Sequence, residues 1–354
     1  MLEAVTAAGF QRKTGAMFQR AGNYSQFDFS EQFSSGWKET FEVQRAEFDK
    51  ILADQAELAG VDIRYQHEIT SVELDDLYSS VNCRLADGDS AQFSARFLLD
   101  ASGFGRVLPR LLQLEKPVDL PVRSSLFTHI EDQLEATSYD REKILITVHP
   151  ERQDVWYWLI PFKNGRSSIG VVASPEFLDG YVGDPIDKLQ AIIGEDPELT
   201  CLLADARWNS PARQITGYSA KADPLCTSRW ALLGNAAEFL DPVFSSGVTI
   251  ALRSASMAVA LLDKQLQGDI VDWEREYAQP LGRGVDTFRA FVNAWYDGRF
   301  QDIIFQQGQS TEIRRMLCSI LAGYAWDENN PYVQKPERRL NALWQYCQQQ
   351  ATRA

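Results

Sequence analysis

The sequence predicts an α/β fold with a β-rich middle region and a helical C-terminal segment. Three observations predict it. Trp230–Leu233 is a short apolar run stopped by Gly234, followed by a polar loop of small residues and then a helical pattern. Residues 120–175 hold short strand-like runs punctuated by turn signals such as Asn164-Gly165. Beyond Leu262 the apolar residues recur at helical spacing over Trp273–Phe300 and Thr311–Tyr324, with Phe288, Phe291, Val292, Trp295 and Tyr296 in one dense band.

The 354 residues can bury a large core and suit one big domain or two interleaved ones. A net charge of −14 argues against nucleic acid and anionic membrane as partners, because both need clustered Lys and Arg. No transmembrane run or signal peptide is read, since Met1–Phe10 lacks a basic start and a long apolar core. Cys83, Cys201, Cys226, Cys318 and Cys347 are odd in number and never form C-x-x-C, which suits a reduced, cytoplasmic setting. His67, His129 and His149 lack metal-ligand spacing, so no metal is expected.

In chain order, Met1–Phe10 reads as the tail of a helix and its exit loop, and Ala16–Phe33 as a β-hairpin. Thr40–Asp49 is expected to start a helix, with Phe48, Ile51, Leu52, Ala56 and Ala59 as its apolar stripe and Gly60 at its end. Strands follow at Ile63–Val72, Val81–Leu85 and Ala91–Leu99. In Trp156–Pro161, Trp156, Trp158 and Ile160 share one face while Tyr157 and Leu159 share the other, so both faces must be covered. Ser167–Ala173 is the returning strand. After Gly234, Pro242 fixes the backbone, and Ser245, Ser246 and Gly247 put unpaired N–H groups at a helix start, an end that attracts anions. Val248, Ala251, Leu252, Ala255, Val259 and Leu262 are the expected core-facing side of that helix. Pro331, Pro336 and the Gln-rich end, Gln345–Gln350, suggest a fraying tail.

No G-x-G-x-x-G is found: Gly103-Phe104-Gly105 has Leu108 where the third glycine belongs. The anion at the helix start could be a phosphate, a halide or the polar edge of a reduced flavin. The residues of that loop alone do not choose among them, and a tight connection in any α/β protein is the plain alternative.

Gly234-Asn235-Ala236-Ala237, Asp241-Pro242 and Phe244-Ser245-Ser246-Gly247-Val248 resemble the second flavin-contacting motif of class A flavoprotein monooxygenases, in the form used by flavin-dependent halogenases. Four further segments carry the resemblance. Val43-Gln44-Arg45 is similar to the family's flavin-contacting Val-x-Arg, and Asp100-Ala101-Ser102-Gly103 to its Asp-Ala-Ser-Gly. Phe10-Gln11-Arg12-Lys13-Thr14-Gly15-Ala16 is similar to its Phe-x-x-Lys-x-Gly-Ala, and Trp156 to Pro161 reproduces Trp-x-Trp-x-Ile-Pro at all four specified positions. The chain departs at Asn235, where the family has Asp; Asn still donates and accepts hydrogen bonds but carries no charge.

The resemblance implies a glutathione reductase-like, Rossmann-type FAD-binding domain interleaved with a β-sheet substrate domain, without the family's opening phosphate loop. The corresponding boundaries are 1–115 for the first part of the FAD domain with the start of the substrate region, 116–215 for the β-rich substrate domain, 216–265 for the second FAD part, and 266–354 for the helical segment. It implies Lys13 as catalytic residue. Cofactor contacts fall to Arg45, Asp100, Gly234, Asn235, Asp241, Pro242, Ser245, Ser246, Gly247 and Val248, with halide held near Ser246 and Gly247. Trp156, Trp158, Ile160 and Pro161 lie by the substrate.

The implied reaction is chlorination or bromination of an electron-rich aromatic, a phenol, pyrrole or indole, free or tethered to a carrier protein. FAD reduced by a separate flavin reductase, with oxygen and chloride or bromide, drives it. Each site residue has a plain alternative: Lys13 as a solvated loop residue, Arg45 as a surface helix-start residue, the tryptophans as core. Two other functions stay open, a hydroxylase or reductase of the same fold, and a truncated, cofactor-free remnant.

Overall fold

Strands that are apolar on both faces need cover on both sides, and the middle of this chain supplies such strands. The structure, a computed structural model, describes residues 1–75, 78–135 and 139–353. It comprises two compact units: Met1–Val61, Pro121–Gly217 and Ala290–Ala354 form the first, Asp62–Leu120 and Tyr218–Arg289 the second.

The first unit is built on a seven-stranded sheet in the order Arg213–Thr216, Ser124–Glu131, Arg166–Ala173, Trp156–Pro161, Lys143–Val148, Gly15–Arg20, Asn23–Asp28. Neighbours run antiparallel except Lys143–Val148 beside Gly15–Arg20, which are parallel. On one face Leu126, Ile130, Leu145, Tyr157, Leu159 and Ile169 pack with Leu189 and Ile192 of the helix Pro185–Ile193. Asp184 starts that helix by accepting the N–H groups of Ile186 and Asp187, and Pro185 suits its first position. On the other face Trp156 and Phe18 pack against Trp295. The expected hairpin turn is present, with Asn164 at φ 74° and Gly165 at φ 67°.

Two expectations for this unit are corrected. Thr40–Glu42 is a strand, paired antiparallel with Gln11–Lys13, and the helix begins only at Arg45. Cross-strand pairing takes residues that helical periodicity had claimed, and no residue of the helix Arg45–Leu58 is fully buried. The C-terminus does not fray at Pro336. Pro336–Arg353 is one 18-residue helix that buries Leu340, Leu343 and Cys347, so packing of one face outweighs the Gln-rich composition.

The second unit holds a three-stranded antiparallel sheet of His67–Leu74, Ser79–Leu85 and Ser90–Ala95. Leu98–Asp100 pairs in parallel with Trp230–Leu232 as a separate sheet, so the expected strand Ala91–Leu99 is two strands. Leu108, Ala222, Trp230, Leu232 and Ala237 form a core cluster here.

The helix Ser246–Leu266 is present, but its inward face is not the expected one. Ile250, Ser254, Ala258 and Leu261 are buried, while Val248, Leu252 and Val259 are 37%, 56% and 56% exposed. The cause is a close approach: a Cβ placed on Gly234 would lie 2.9 Å from the Cβ of Ala251, so small residues mark the packed side. This helix is long and apolar enough to cross a membrane by length and composition alone, a test that core helices of globular proteins also pass.

Candidate active site

The loop after Trp230–Leu232 is tied to the neighbouring strand Leu98–Asp100 and to the helix that follows the loop. Leu233 donates its N–H to Asp100 O at 2.8 Å, and Gly234, at φ 52°, donates its N–H to Ser254 Oγ at 2.9 Å. Asp241 then organises the next turn: its Oδ1 accepts the N–H of Val243 at 3.0 Å and its Oδ2 the hydroxyl of Tyr218 at 3.4 Å. Pro242–Phe244 forms a short 3-10 turn and Ser245 takes the left-handed conformation at φ 53°. With Ser245 so turned, no side chain caps the 21-residue helix that follows. Among the described residues, none accepts the N–H groups of Ser246, Gly247 and Val248. Gly247 has Phe239 and the Oδ1 of Asn235 for neighbours.

Unpaired amides at the positive end of a long helix suit an anion or a carbonyl edge. That is what the polar edge of a flavin ring and a halide each present. These residues therefore fit the group the sequence implies. The turn is not filled by its own polar side chains, since Asp241 is spent on Val243 and Tyr218.

Asp100 lies beside this loop with both carboxylate oxygens engaged. Oδ1 accepts the N–H of Ser102 at 2.8 Å and Oδ2 that of Leu108 at 2.7 Å. Its observed work is to fold the Asp-Ala-Ser-Gly turn. Arg45, placed with the cofactor contacts by sequence, is exposed and makes a two-pronged ion pair with Asp49 one turn on, both bonds 2.9 Å. This is the geometry of a surface helix-start residue.

Lys13 ends a three-residue strand and is half-buried, and among the described residues its ammonium has no hydrogen-bond or ion-pair partner. Burial lowers its pKa, and the nearby Glu42 pulls it back up. Glu42 is a residue sequence reasoning missed. It is 4% exposed, and neither of its carboxyl oxygens has a partner in the described structure. The only signal for it was an acidic residue within an otherwise strand-like Thr40-Phe41-Glu42-Val43, read as the start of a helix. Ser254, holding Gly234, was missed for a similar reason: a serine on a helix face scores as solvent.

The tryptophan strand splits in role. Trp156 is 1% exposed, donates its indole N–H to Tyr296 Oη at 3.1 Å, and is a core residue. Trp158 is half-buried, donates to Ser168 Oγ at 3.0 Å, and lies against Gly170. Trp156 and Arg20 both pair with Val148, and Gly15 pairs with Lys143. At roughly 3.3 Å per residue, that places Trp156 about 17 Å along the sheet from the Gly15 end, where Lys13 enters. Ile160 and Pro161, further along the same strand, lie toward the Lys13 end. Surface clefts of ≈ 440 Å³ lie beside His67 and Arg84 in one unit and beside Ser34 and Tyr324 in the other, and neither is lined by a residue assigned to catalysis, cofactor, halide or substrate. Among the described residues no cluster could hold a metal ion.

Known proteins resemble this chain over most of its length. The family model described as tryptophan halogenase matches residues 12–334. The tryptophan 2-halogenase of Chondromyces crocatus is 27% identical over 285 residues, 76% of this chain and 51% of that protein. The 1H-pyrrole-2-carbonyl-(peptidyl-carrier protein) chlorinase of Pseudomonas fluorescens is 28% identical over 275 residues, 73% of this chain and 58% of that protein. The chain thus spans little more than half the length of these curated relatives. Among solved structures, a flavoprotein/dehydrogenase from Cytophaga hutchinsonii superposes with a TM-score of 0.95 at 40% identity, over 99% of this chain and 85% of that one. The flavin-dependent brominase Bmp2 superposes at 0.81 and 22% identity over 98% and 85%, a likeness of fold.

Proposed function

Because the chain belongs to the tryptophan halogenase family, whose model matches residues 12–334, we propose that it is an FAD-dependent halogenase of electron-rich aromatics. The uncapped first turn at Ser246, Gly247 and Val248 carries this reading, because its amides have no acceptor among the described residues and suit an anion or carbonyl edge. Asn235 offers a neutral amide beside Gly247, able to donate or accept toward the ligand. Reduced FAD, when bound, supplies the oxygen activation that oxidises chloride or bromide.

The protein's share is placement. Ser246 and Gly247 are the residues for the halide, and Lys13, with three donors and no partner among the described residues, is the residue for the oxidised halogen. Ile160 and Pro161 are the members of the tryptophan strand positioned toward Lys13's end of the sheet. One relative is named for tryptophan and another for a pyrrole on a peptidyl-carrier protein, so the ring class covers free and tethered substrates. A separate cytoplasmic flavin reductase would supply the reduced cofactor.

The test is to combine the purified chain with reduced FAD, oxygen and bromide or chloride, against phenol, pyrrole and indole substrates, free and carrier-bound. The expected result is a product heavier by one halogen, lost in Lys13→Met while flavin reoxidation continues. Absence of halogenated product across every ring and halide overturns the reading. The 40% identity to a flavoprotein/dehydrogenase favours a second reading, a flavin oxidoreductase that needs no halide. Substrate turnover that is indifferent to halide would select it.

A further inference from the structure

The strand Thr40–Glu42 lies antiparallel to Gln11–Lys13, with Gln11 opposite Glu42 and Lys13 opposite Thr40. Opposed residues of an antiparallel pair share a face, so Lys13, Thr40, Gln11 and Glu42 project to one side, and Arg12 and Phe41 to the other. Arg12 is taken up on its own side by Glu39 and, at 3.6 Å, Glu142. Lys13 and Glu42 are diagonal neighbours, within each other's field but not in contact.

Among the described residues neither group has a hydrogen-bond or ion-pair partner. Glu42 is more than nine-tenths buried with both oxygens unbonded. A carboxylate in that state is costly and must keep its proton or find a counter-charge. The cations near enough to draw the proton off are Lys13 and Arg141. Arg141 is already committed, donating to Asp132 at 2.8 Å and to the carbonyls of Phe162 and Arg166 at 2.8 and 3.3 Å. Asp140 and Glu142 act in the opposite sense, favouring the protonated carboxyl, and Tyr139 sits in the same field. Lys13 is therefore the group with which Glu42 shares its charge balance.

We propose that Glu42 is the positioning residue for Lys13: across the two-stranded ribbon it sets the proton affinity of the Lys13 amine without occupying its donors. Burial alone drives the amine toward its neutral form, and an anionic Glu42 opposes that. Because the two do not touch, the ammonium keeps all three donors for a ligand. Glu42 acts through Lys13 and is not assigned a contact with substrate. The inference deepens the reading above, since control of this amine matters to the reaction only where that reading holds.

The experiment needs neither flavin nor halide. The full chain is treated with an amine-acylating reagent across a pH series, and labelling of the Lys13 peptide is followed by mass, with Lys13→Met as blank. Lys13 is only partly exposed, so the reagent chosen is a small one. Removing the anion in Glu42→Gln is expected to lower the midpoint of Lys13 labelling by about one pH unit or more, with Glu42→Asp between it and the parent. An unchanged midpoint in a natively folded Glu42→Gln overturns the inference. Should that variant not fold, the parent's infrared difference spectrum decides, with the Glu42 carboxyl identified by its shift in Glu42→Asp: a carboxyl that has lost its proton before Lys13 becomes reactive supports the inference, and one still protonated at the Lys13 midpoint overturns it. A shifted midpoint without halogenated product would sink the function and keep the coupling. The converse would do the reverse.

Discussion

The hydroxyl of Ser254 accepts the N–H of Gly234 at 2.9 Å while donating to Ala251 O at 2.9 Å, tying the loop after Trp230–Leu232 to the third turn of the helix Ser246–Leu266. Ser254 is fully buried, so Ser254→Ala leaves a buried N–H without an acceptor and is expected to cost about 1–3 kcal/mol. Gly234→Ala is expected to cost more, because the new Cβ meets Ala251 at 2.9 Å and the residue sits at φ 52°. Urea unfolding of both variants checks the order. Equal stability of Ser254→Ala and the parent would show that the loop does not depend on this contact.

Asp100 and Arg45 both match flavin-contacting motifs, yet the structure separates them. Asp100 holds two backbone N–H groups, and Asp100→Ala is expected to destabilise the fold by about 1–3 kcal/mol through those lost bonds. Arg45 pairs with Asp49 on an exposed helix surface, so Arg45→Ala is expected to cost only about 0.3–0.5 kcal/mol. Chemical denaturation of the two variants separates these cases, and a parallel flavin titration shows whether Arg45 leaves Asp49 to serve a cofactor.

What could be read from sequence divides along the same physical line. Strands with apolar faces, such as Trp156–Pro161, and turns with special backbone, such as Asn164-Gly165, announce themselves because each residue type reports its own requirement. The motif turn at Asp241–Val248 was legible for that reason too, through Pro242 and Gly247. The inward face of the helix Ser246–Leu266 was not. Contact with Gly234 selects small residues at Ala251 and Ser254, whereas hydrophobic periodicity favours the larger Val248, Leu252 and Val259, which remain exposed. Glu42 was hidden because its partner strand, Gln11–Lys13, lies about thirty residues earlier in the chain. Local pattern cannot report a cross-strand neighbour.

The five thiols should divide by access. All are free; Cys201 is exposed, while Cys83, Cys226, Cys318 and Cys347 are buried. Burial also pushes the Cys226 and Cys318 thiols up to about 12, depriving them of thiolate at neutral pH. A chromogenic disulfide reagent is expected to titrate one thiol quickly in the native protein and five after unfolding. Fast reaction of two or more native thiols would contradict the packing around the buried four.

Arg123 and Asp154 give the acid limb of stability a definite sign. Their side chains meet at 3.0 Å, and the Arg123 guanidinium lies 4.4 Å from the ring centre of Tyr296. Burial raises the Asp154 pKa, but the hydrogen bond and charge of Arg123 outweigh it and hold the carboxyl below its ordinary 3.8. A carboxyl depressed in the folded state contributes stability above its unfolded pKa and loses it as pH falls through the folded one. Asp154→Asn is therefore expected to lower stability at pH 7 by about 1–2 kcal/mol, the modest end for a charge-assisted bond because water reaches part of Asp154. The gap between parent and variant should narrow below about pH 4 and nearly close once the folded carboxyl is protonated. Thermal unfolding of both proteins from pH 7 to pH 2.5 or so measures that gap directly. A gap that stays constant over the range would mean that Asp154 stabilises by packing rather than by charge.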